Sequence, residues 1–288
     1  MSSDLHCHTK LSDGSMGIED IITLAKKQGV DTISITDHDC MAGNIRAKVI
    51  GDRHGVTVIP GVEISATDSG TGDEIHILCY MSDSPDRLEG LCHRNLLARK
   101  KAAQYMMLKI SQKYPITPDL VLKCAQGSTN VYTVHIMAAL LESGMATSIC
   151  GELYDTLFGT GNGTRSYLVK PKFESPESVI DAIHDAGGIA VLSHPGAYSS
   201  EIVERLVAYG LDGIEAWCPQ HTVQQAESFA DYAKKNKILA TGGSDFHGRF
   251  NLECVTLGSH TTPEKQLSEL HSYKAKMRRK QKQEAAAE

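Results

Sequence analysis

The sequence predicts an α/β protein: a parallel sheet or barrel of alternating strands and helices, interrupted by one helical insertion. Three observations predict it. Short β-type runs alternate with amphipathic stretches of helical period. The alternation breaks once, between about 85 and 170, where the segments read as helix. Six segments also present a His or a carboxylate at a strand end or within a strand, and in βα folds those ends share one face.

The strands are read at "DLHCH" (4–8), "TISIT" (32–36), "VTVIP" (56–60), "IHILCY" (75–80), "AVLSH" (190–194), "GIEA" (213–216) and "ILATG" (238–242). Between several of them lie amphipathic helices, "IEDIITLAKKQG", "SPESVIDAIHDAGG" and "TVQQAESFADYAKKNK", each ending near Gly or Asn as helix stops do. The expected organisation is a βα body over 1–84 and 166–262, a helical insertion over 85–165, and a charged helix or frayed tail over 263–288. That tail carries Lys274, Lys276, Arg278, Arg279 and Lys280 and is expected to be solvated. The pair Met106 and Met107 is expected to pack a helix face.

With 41% hydrophobic and 22% charged residues, the 288-residue chain has globular composition. A net charge of −6 offers no general basic field, so no stable nucleic-acid complex is expected. No apolar run approaches the roughly 18 residues of a membrane span. The eight cysteines are scattered without a CxxC pair, which excludes a zinc ribbon. A polar start with no apolar leader, together with many thiols, places the expected location in the cytoplasm.

Residues i and i+2 of a strand point the same way, so His6 and His8 aim two imidazoles at one point while Cys7 faces away. "TISITDHDC" runs into Asp37, His38 and Asp39, and "VTVIPGVEIS" into Glu63. "DEIHILCY" holds His76 within a strand; "AVLSHPG" delivers His194, and "ATGGSDFHG" delivers Asp245 and His247. One such His alone is ordinarily a hydrogen-bonded core residue. Burying the whole set unpaired, with Asp13 added, would cost several kcal/mol for each group. Divalent cations remove that cost. Imidazole and carboxylate without thiolate suit Mn²⁺, Fe²⁺ or Zn²⁺, and the ligands outnumber what one tetrahedral ion uses. Such a centre hydrolyses phosphoesters without a side-chain nucleophile. A Ser244–His194–Asp245 triad is discounted because its His and Asp serve better as ligands. "GTGNGT" lacks the GK[ST] of a phosphate loop.

The ordered series "DLHCHTKLSDG", "ITDHD", "PGVEIS", "EIHIL", "LSHPG" and "GGSDFHG" resembles the motifs of the PHP (polymerase and histidinol phosphatase) family of metal-dependent phosphoesterases. The placement of the insertion is similar to the branch that includes nucleoside 3′,5′-bisphosphate phosphatases. The resemblance implies a distorted (β/α)7 TIM-like barrel and a trinuclear site of three divalent metal ions. It assigns His6, His8, Glu63 and Asp245 to the first ion, Glu63, His76 and His194 to the second, and Asp13, His38 and His247 to the third. Turnover would depend on Asp13, Glu63 and His194. His247, or a water on the metal, would protonate the leaving group. Asp37 would orient the adjacent imidazole.

The expected activity is hydrolysis of a phosphomonoester of a small phosphorylated substrate, with a nucleotide in view, by attack of a metal-bridged hydroxide. One alternative is a phosphodiesterase or 5′→3′ exonuclease on short oligonucleotides. Another is a metal-binding module without turnover. Two guanidiniums typical of the nucleotide-phosphatase branch are replaced here by Thr133 and Ala197. The substrate-binding candidates that remain are His135, Arg165, Lys170 and Lys172.

Overall fold

The computed structural model describes residues 2–159, 166–251 and 255–285. Seven strands follow chain order in one sheet: β1 Ser3–Cys7, β2 Thr32–Ile35, β3 Thr57–Thr67, β4 Glu74–Tyr80, β5 Ile189–Leu192, β6 Gly213–Trp217 and β7 Leu239–Gly242. The helices are α1 Ile18–Gln28, α2 Asn44–His54, α3 Asp86–Ser111, α4 Pro118–Cys124, α5 Thr133–Glu142, α6 Glu152–Phe158, α7 Pro176–Asp185, α8 Ser200–Tyr209, α9 Val223–Asn236 and α10 Glu264–Ala285. The sheet nearly closes into a barrel: just past β7 the His8 N–H donates to the Phe246 carbonyl at 2.9 Å. A Cβ on Gly243 would sit 2.4 Å from the backbone nitrogen of His6, so this position must be glycine for the seam to form.

All seven expected strands are present, with one departure in direction. β4 is antiparallel to both β3 and β5, whereas β1–β3 and β5–β7 run parallel. The short link from β3 to β4 forces this, because a parallel return needs a crossover of a dozen residues or more. It is a turn in which the Asp68 carboxylate accepts from the amides of Gly70 and Thr71. The reversal decides where His76 sits. Running backwards, β4 brings its first residues, not its last, to the face where the parallel strands end.

Alternation along β3 sends Val62, Ile64 and Ala66 into the apolar layer under α7 and α8. Glu63 and Ser65 face the opposite way. The barrel interior away from the site is apolar, with Leu5, Leu78, Tyr80, Ile189, Val191 and Leu239 in one cluster. Between β4 and α7, helices α3–α6 bury an apolar cluster of their own that includes Met106 and Met107. Two helices of the body, α2 and α8, escape the sequence reading. α2 has charge on both faces and leaves Ile45 and Val49 exposed, so its period is weak.

The C-terminal segment departs from the expected solvated tail. α10 buries Leu267 and Leu270 in the interior cluster and carries Lys274 in with them, 3% exposed. The Lys274 ammonium donates to Asp83 Oδ2 at 2.6 Å and to the Gly187 carbonyl, and Arg278 grips Asp83 Oδ1 at 2.6 Å. Lys274 is buried while Asp83 is part-exposed, and removing the partner of a buried charge leaves that charge uncompensated. Asp83→Asn is therefore expected to cost about 3 kcal/mol in denaturant unfolding. Asp83→Asn combined with Lys274→Met should recover part of that loss.

Candidate metal centre

Glu63 is the hub of the polar face. It is 1% exposed, and its Oε2 lies 3.3 Å from His6 Nε2, 3.2 Å from His8 Nε2 and 3.2 Å from His38 Nδ1. Its Oε1 lies 3.4 Å from His76 Nδ1 and 3.6 Å from His194 Nε2. Asp245 Oδ1 approaches His6 and His8 Nε2 at 3.4 and 3.3 Å. Asp13 faces His247 Nε2 at 3.3 Å, His8 Nδ1 at 3.5 Å and His38 Nε2 at 3.6 Å. The nine metal-ligand candidates of the sequence reading thus form one continuous cluster.

The backbone is bent to achieve this. Asp39, His194 and Asp245 have φ of 50°, 31° and 49°, a region non-glycine residues seldom occupy, and all three follow strand ends. Strain of this kind gathers where a site over-determines the backbone. Pairing registers also shift around His6 in β1 and after Glu215 in β6, re-aiming the side chains there.

The donor set fits divalent cations. His6 Nε2 and His8 Nε2 are 3.0 Å apart with two carboxylate oxygens within 3.4 Å. Ligands about 2.1 Å from one ion are spaced roughly 3.0–3.4 Å from each other. Asp13 Oδ1, Glu63 Oε1 and His38 Nδ1 are buried with no hydrogen-bond partner. Among the described residues, three groups can converge on an ion: His8–Asp13–His38–His247, His6–His8–Glu63 and His38–Glu63–His76.

Protons are the alternative cation here. Burial alone would lower the His6 pKa, but Glu215, Glu63 and Asp245 outweigh it and hold that imidazole well above its ordinary range. Burial opposes His8 too, yet hydrogen bonding to the Asp245 and Glu63 carboxylates, which accept, lifts it to about 10. Burial would raise Glu63, but His6, His38 and His76 keep it well below the usual carboxylate range. Burial pushes His38 down to about 3 despite Asp13 and Glu63.

Matches to known proteins follow the same pattern. The PHP domain family model matches residues 4–138. A phosphoribosyl 1,2-cyclic phosphate 1,2-diphosphodiesterase from Eggerthella lenta is 32% identical over 253 residues, covering 87% of this chain and 95% of the relative. The chain belongs to the PHP family. A 5′-3′ exoribonuclease from Haemophilus influenzae is 31% identical, covering 85% of this chain and 89% of the relative. A 3′,5′-nucleoside bisphosphate phosphatase from Chromobacterium violaceum is 28% identical, covering 85% and 86%. A Bifidobacterium adolescentis structure described as a metal-dependent phosphoesterase superposes with a TM-score of 0.83 at 29% identity, covering 93% of this chain and 94% of that one. The protein is a PHP-type metal-dependent phosphoric ester hydrolase.

Other expected residues fall elsewhere. Asp37 does not orient an imidazole directly. It accepts from the Thr9 amide at 2.7 Å, the Thr9 hydroxyl at 2.7 Å and the Ser12 hydroxyl at 2.6 Å, and so ties down the loop carrying Asp13. His135 is buried at the start of α5, where its Nδ1 accepts the Tyr132 amide at 3.1 Å and its ring packs edge-on against Tyr132 and Phe250. Burial lowers its pKa to about 4, and its role in the structure is that of a helix cap. Lys170 and Lys172 line a separate surface groove with Arg94 and Lys101. Arg165 and most of "GTGNGT" lie outside the described residues. Ser244 donates to Asp4 Oδ2 at 2.5 Å, which removes it from any triad.

Glu215, Tyr198, Arg99 and Glu74 at this PHP centre escape the sequence reading. Glu215 is buried in β6 and meets His6 Nδ1 at 3.0 Å. Tyr198 accepts the His76 amide at 3.0 Å and approaches His194 Nδ1 at 3.3 Å. Arg99 of α3 donates to Ser65 Oγ at 2.7 Å and to Glu74 Oε1 at 3.2 Å, between the rings of Tyr132 and Phe173. The clue for Glu215 was a lone carboxylate inside the apolar run "GIEAW".

Ligand nitrogens must lose their protons before a metal binds. Since neighbouring carboxylates raise the proton affinity of His6 and His8, Mn²⁺ binding to the metal-free protein should release protons and tighten as pH rises from 6 to 8. Calorimetric titration in two buffers of different ionisation enthalpy measures the release directly.

Proposed function

We propose that the protein hydrolyses a phosphomonoester of a small molecule, with a nucleotide in view, at a centre of three divalent ions drawn from Mn²⁺, Fe²⁺ and Zn²⁺. The observation that carries the reading is a cavity of about 240 Å³ beside the cluster, lined by Asp13, Asp245 and His247 on one side and Thr133, Tyr154 and Phe250 on the other. That volume suits one small molecule. The contribution of Thr133, Val134 and Tyr154 supports treating the helical segment 85–165 as a wall of the substrate pocket.

His6, His8, Glu63 and Asp245 would hold the first ion, Glu63 with His76 and His194 the second, and Asp13, His38 and His247 the third. Bound divalent ions supply Lewis acidity toward phosphoryl oxygens and a nucleophile at neutral pH. The chain's own groups set the geometry around them. His247 Nδ1 lies 2.8 Å from the Asp245 carbonyl, which can only accept, so Nδ1 carries the proton and Nε2 turns toward Asp13. Gln220 donates to Asp245 Oδ2 at 2.7 Å, leaving Oδ1 toward His6 and His8.

Thr133 Oγ1 and Tyr154 OH lie 3.4 Å apart on the far wall. Hydroxyls suit a neutral polar group, whereas a second phosphate calls for the guanidinium that Thr133 replaces. This favours a monophosphate over a bisphosphate. The relatives that cleave diesters or RNA support a second reading, a phosphodiesterase or 5′→3′ exonuclease. The seven cysteines among the described residues are free thiols, in keeping with a cytoplasmic setting. No described helix is long and apolar enough to cross a membrane.

The test is a panel of nucleoside monophosphates, bisphosphates, sugar phosphates, cyclic phosphates and a short RNA oligomer, run in parallel with Mn²⁺, Fe²⁺ and Zn²⁺. Inorganic phosphate release from monophosphates is the expected result. Shortening of the oligomer without phosphate release from monophosphates would move the assignment to the second reading. Asp13→Asn and Glu63→Gln should each lower kcat/KM by about two orders of magnitude or more while the fold is retained.

A further inference from the structure

Two carboxylates outside the nine-residue cluster each grip an imidazole of it, and they grip opposite nitrogens. Glu215 Oε1 meets Nδ1 of His6 at 3.0 Å, while Nε2 of that ring faces His8, Glu63 and Asp245. Glu74 Oε1 meets Nε2 of His76 at 3.2 Å, while Nδ1 faces Glu63 at 3.4 Å. Neither carboxylate is free to turn. The other oxygen of Glu215 accepts the His194 amide at 2.9 Å and the Ser193 hydroxyl at 3.4 Å. Glu74 is held by Arg99, which is itself fixed to Ser65.

An ionised carboxylate can only accept, so each holds a proton on the nitrogen it faces and turns the lone pair of the other inward. We propose that Glu215 and Glu74 are positioning residues of the metal centre, Glu215 setting His6 to ligate through Nε2 and Glu74 setting His76 to ligate through Nδ1. The opposite choice of nitrogen follows from the strands. His6 reaches the cluster from the end of β1, whereas His76 enters from the reversed β4, with Glu74 two residues before it on the same face. Glu215 does a second job: by holding the His194 amide it couples His6 to the strained turn after β5.

The inference rests on reading the cluster as a metal centre, and one experiment separates the two. Wild type, Glu215→Gln and Glu74→Gln are titrated with Mn²⁺ after chelation, and the Zn²⁺-loaded proteins are examined by long-range ¹⁵N–¹H correlation of the imidazoles. Expected are a His6 signal protonated at Nδ1, a His76 signal protonated at Nε2, and a loss of about 10- to 100-fold in affinity for at least one Mn²⁺ in each variant. Circular dichroism of the metal-free proteins, with Glu215→Asp and Glu74→Asp as second variants, separates positioning from folding. Wild-type Mn²⁺ affinity in the Gln variants, or the same protonated nitrogen in both imidazoles, overturns the proposal. A metal-free unfolding defect with unchanged Mn²⁺ affinity also overturns it, by making the two residues structural. Failure of the wild type to bind Mn²⁺ or Zn²⁺ at all would instead remove the metal-centre reading beneath it.

Discussion

A single carboxylate, that of Glu63, organises this molecule. It is buried at the middle of the longest strand and faces five imidazoles from four strands and their following turns. An isolated ionised carboxylate in that position would be prohibitively costly, and so would any imidazole that had to be charged there without it. Each group is tolerable only because the others are there. The barrel serves to bring them together, and the strained residues at the strand ends serve to aim them.

The reversed strand is the feature through which topology enters the chemistry. In an all-parallel barrel, ligands come from the ends of strands. Here β3 continues past the point where a parallel neighbour would stop and turns back as β4, so Glu63 and His76 lie within strands and still reach the common face. The same hairpin puts Glu74 beside His76 and Ser65 opposite it, and Arg99 closes over both. Apolar residues alternate with these on the other face and anchor the hairpin against α7 and α8.

Polarity is divided along the barrel axis. One end is the cluster, opening into a cavity walled by α5, α6 and the turn after β7. The other is an apolar plug completed by α10, which fastens itself with a buried ammonium between Asp83 and the Gly187 carbonyl. A helix whose sequence reads as solvated charge thus seals the core, because Lys274 can bury its stem and still find its counter-ion.

The sequence by itself determined the strand set, the break for the helical segment and the apolar runs that end in His, Asp or Glu, and the resemblance of its ordered motifs narrowed these to the nine residues of the cluster. These are local signals: an apolar run ending in His or Asp, or an i, i+2 pair of imidazoles, needs no partner to be recognised. Tertiary structure decided everything that depends on pairing. Glu215 reaches His6 across 209 residues of sequence, and the lone carboxylate inside "GIEAW" does not say which imidazole it will meet. Asp37, next to His38 in the chain, turns instead to Thr9 and Ser12. His135 folds back on its own helix, and Lys170 and Lys172 fall in a different groove from the cluster. Side-chain chemistry is written residue by residue, whereas the choice of partner is made by the path of the backbone through space.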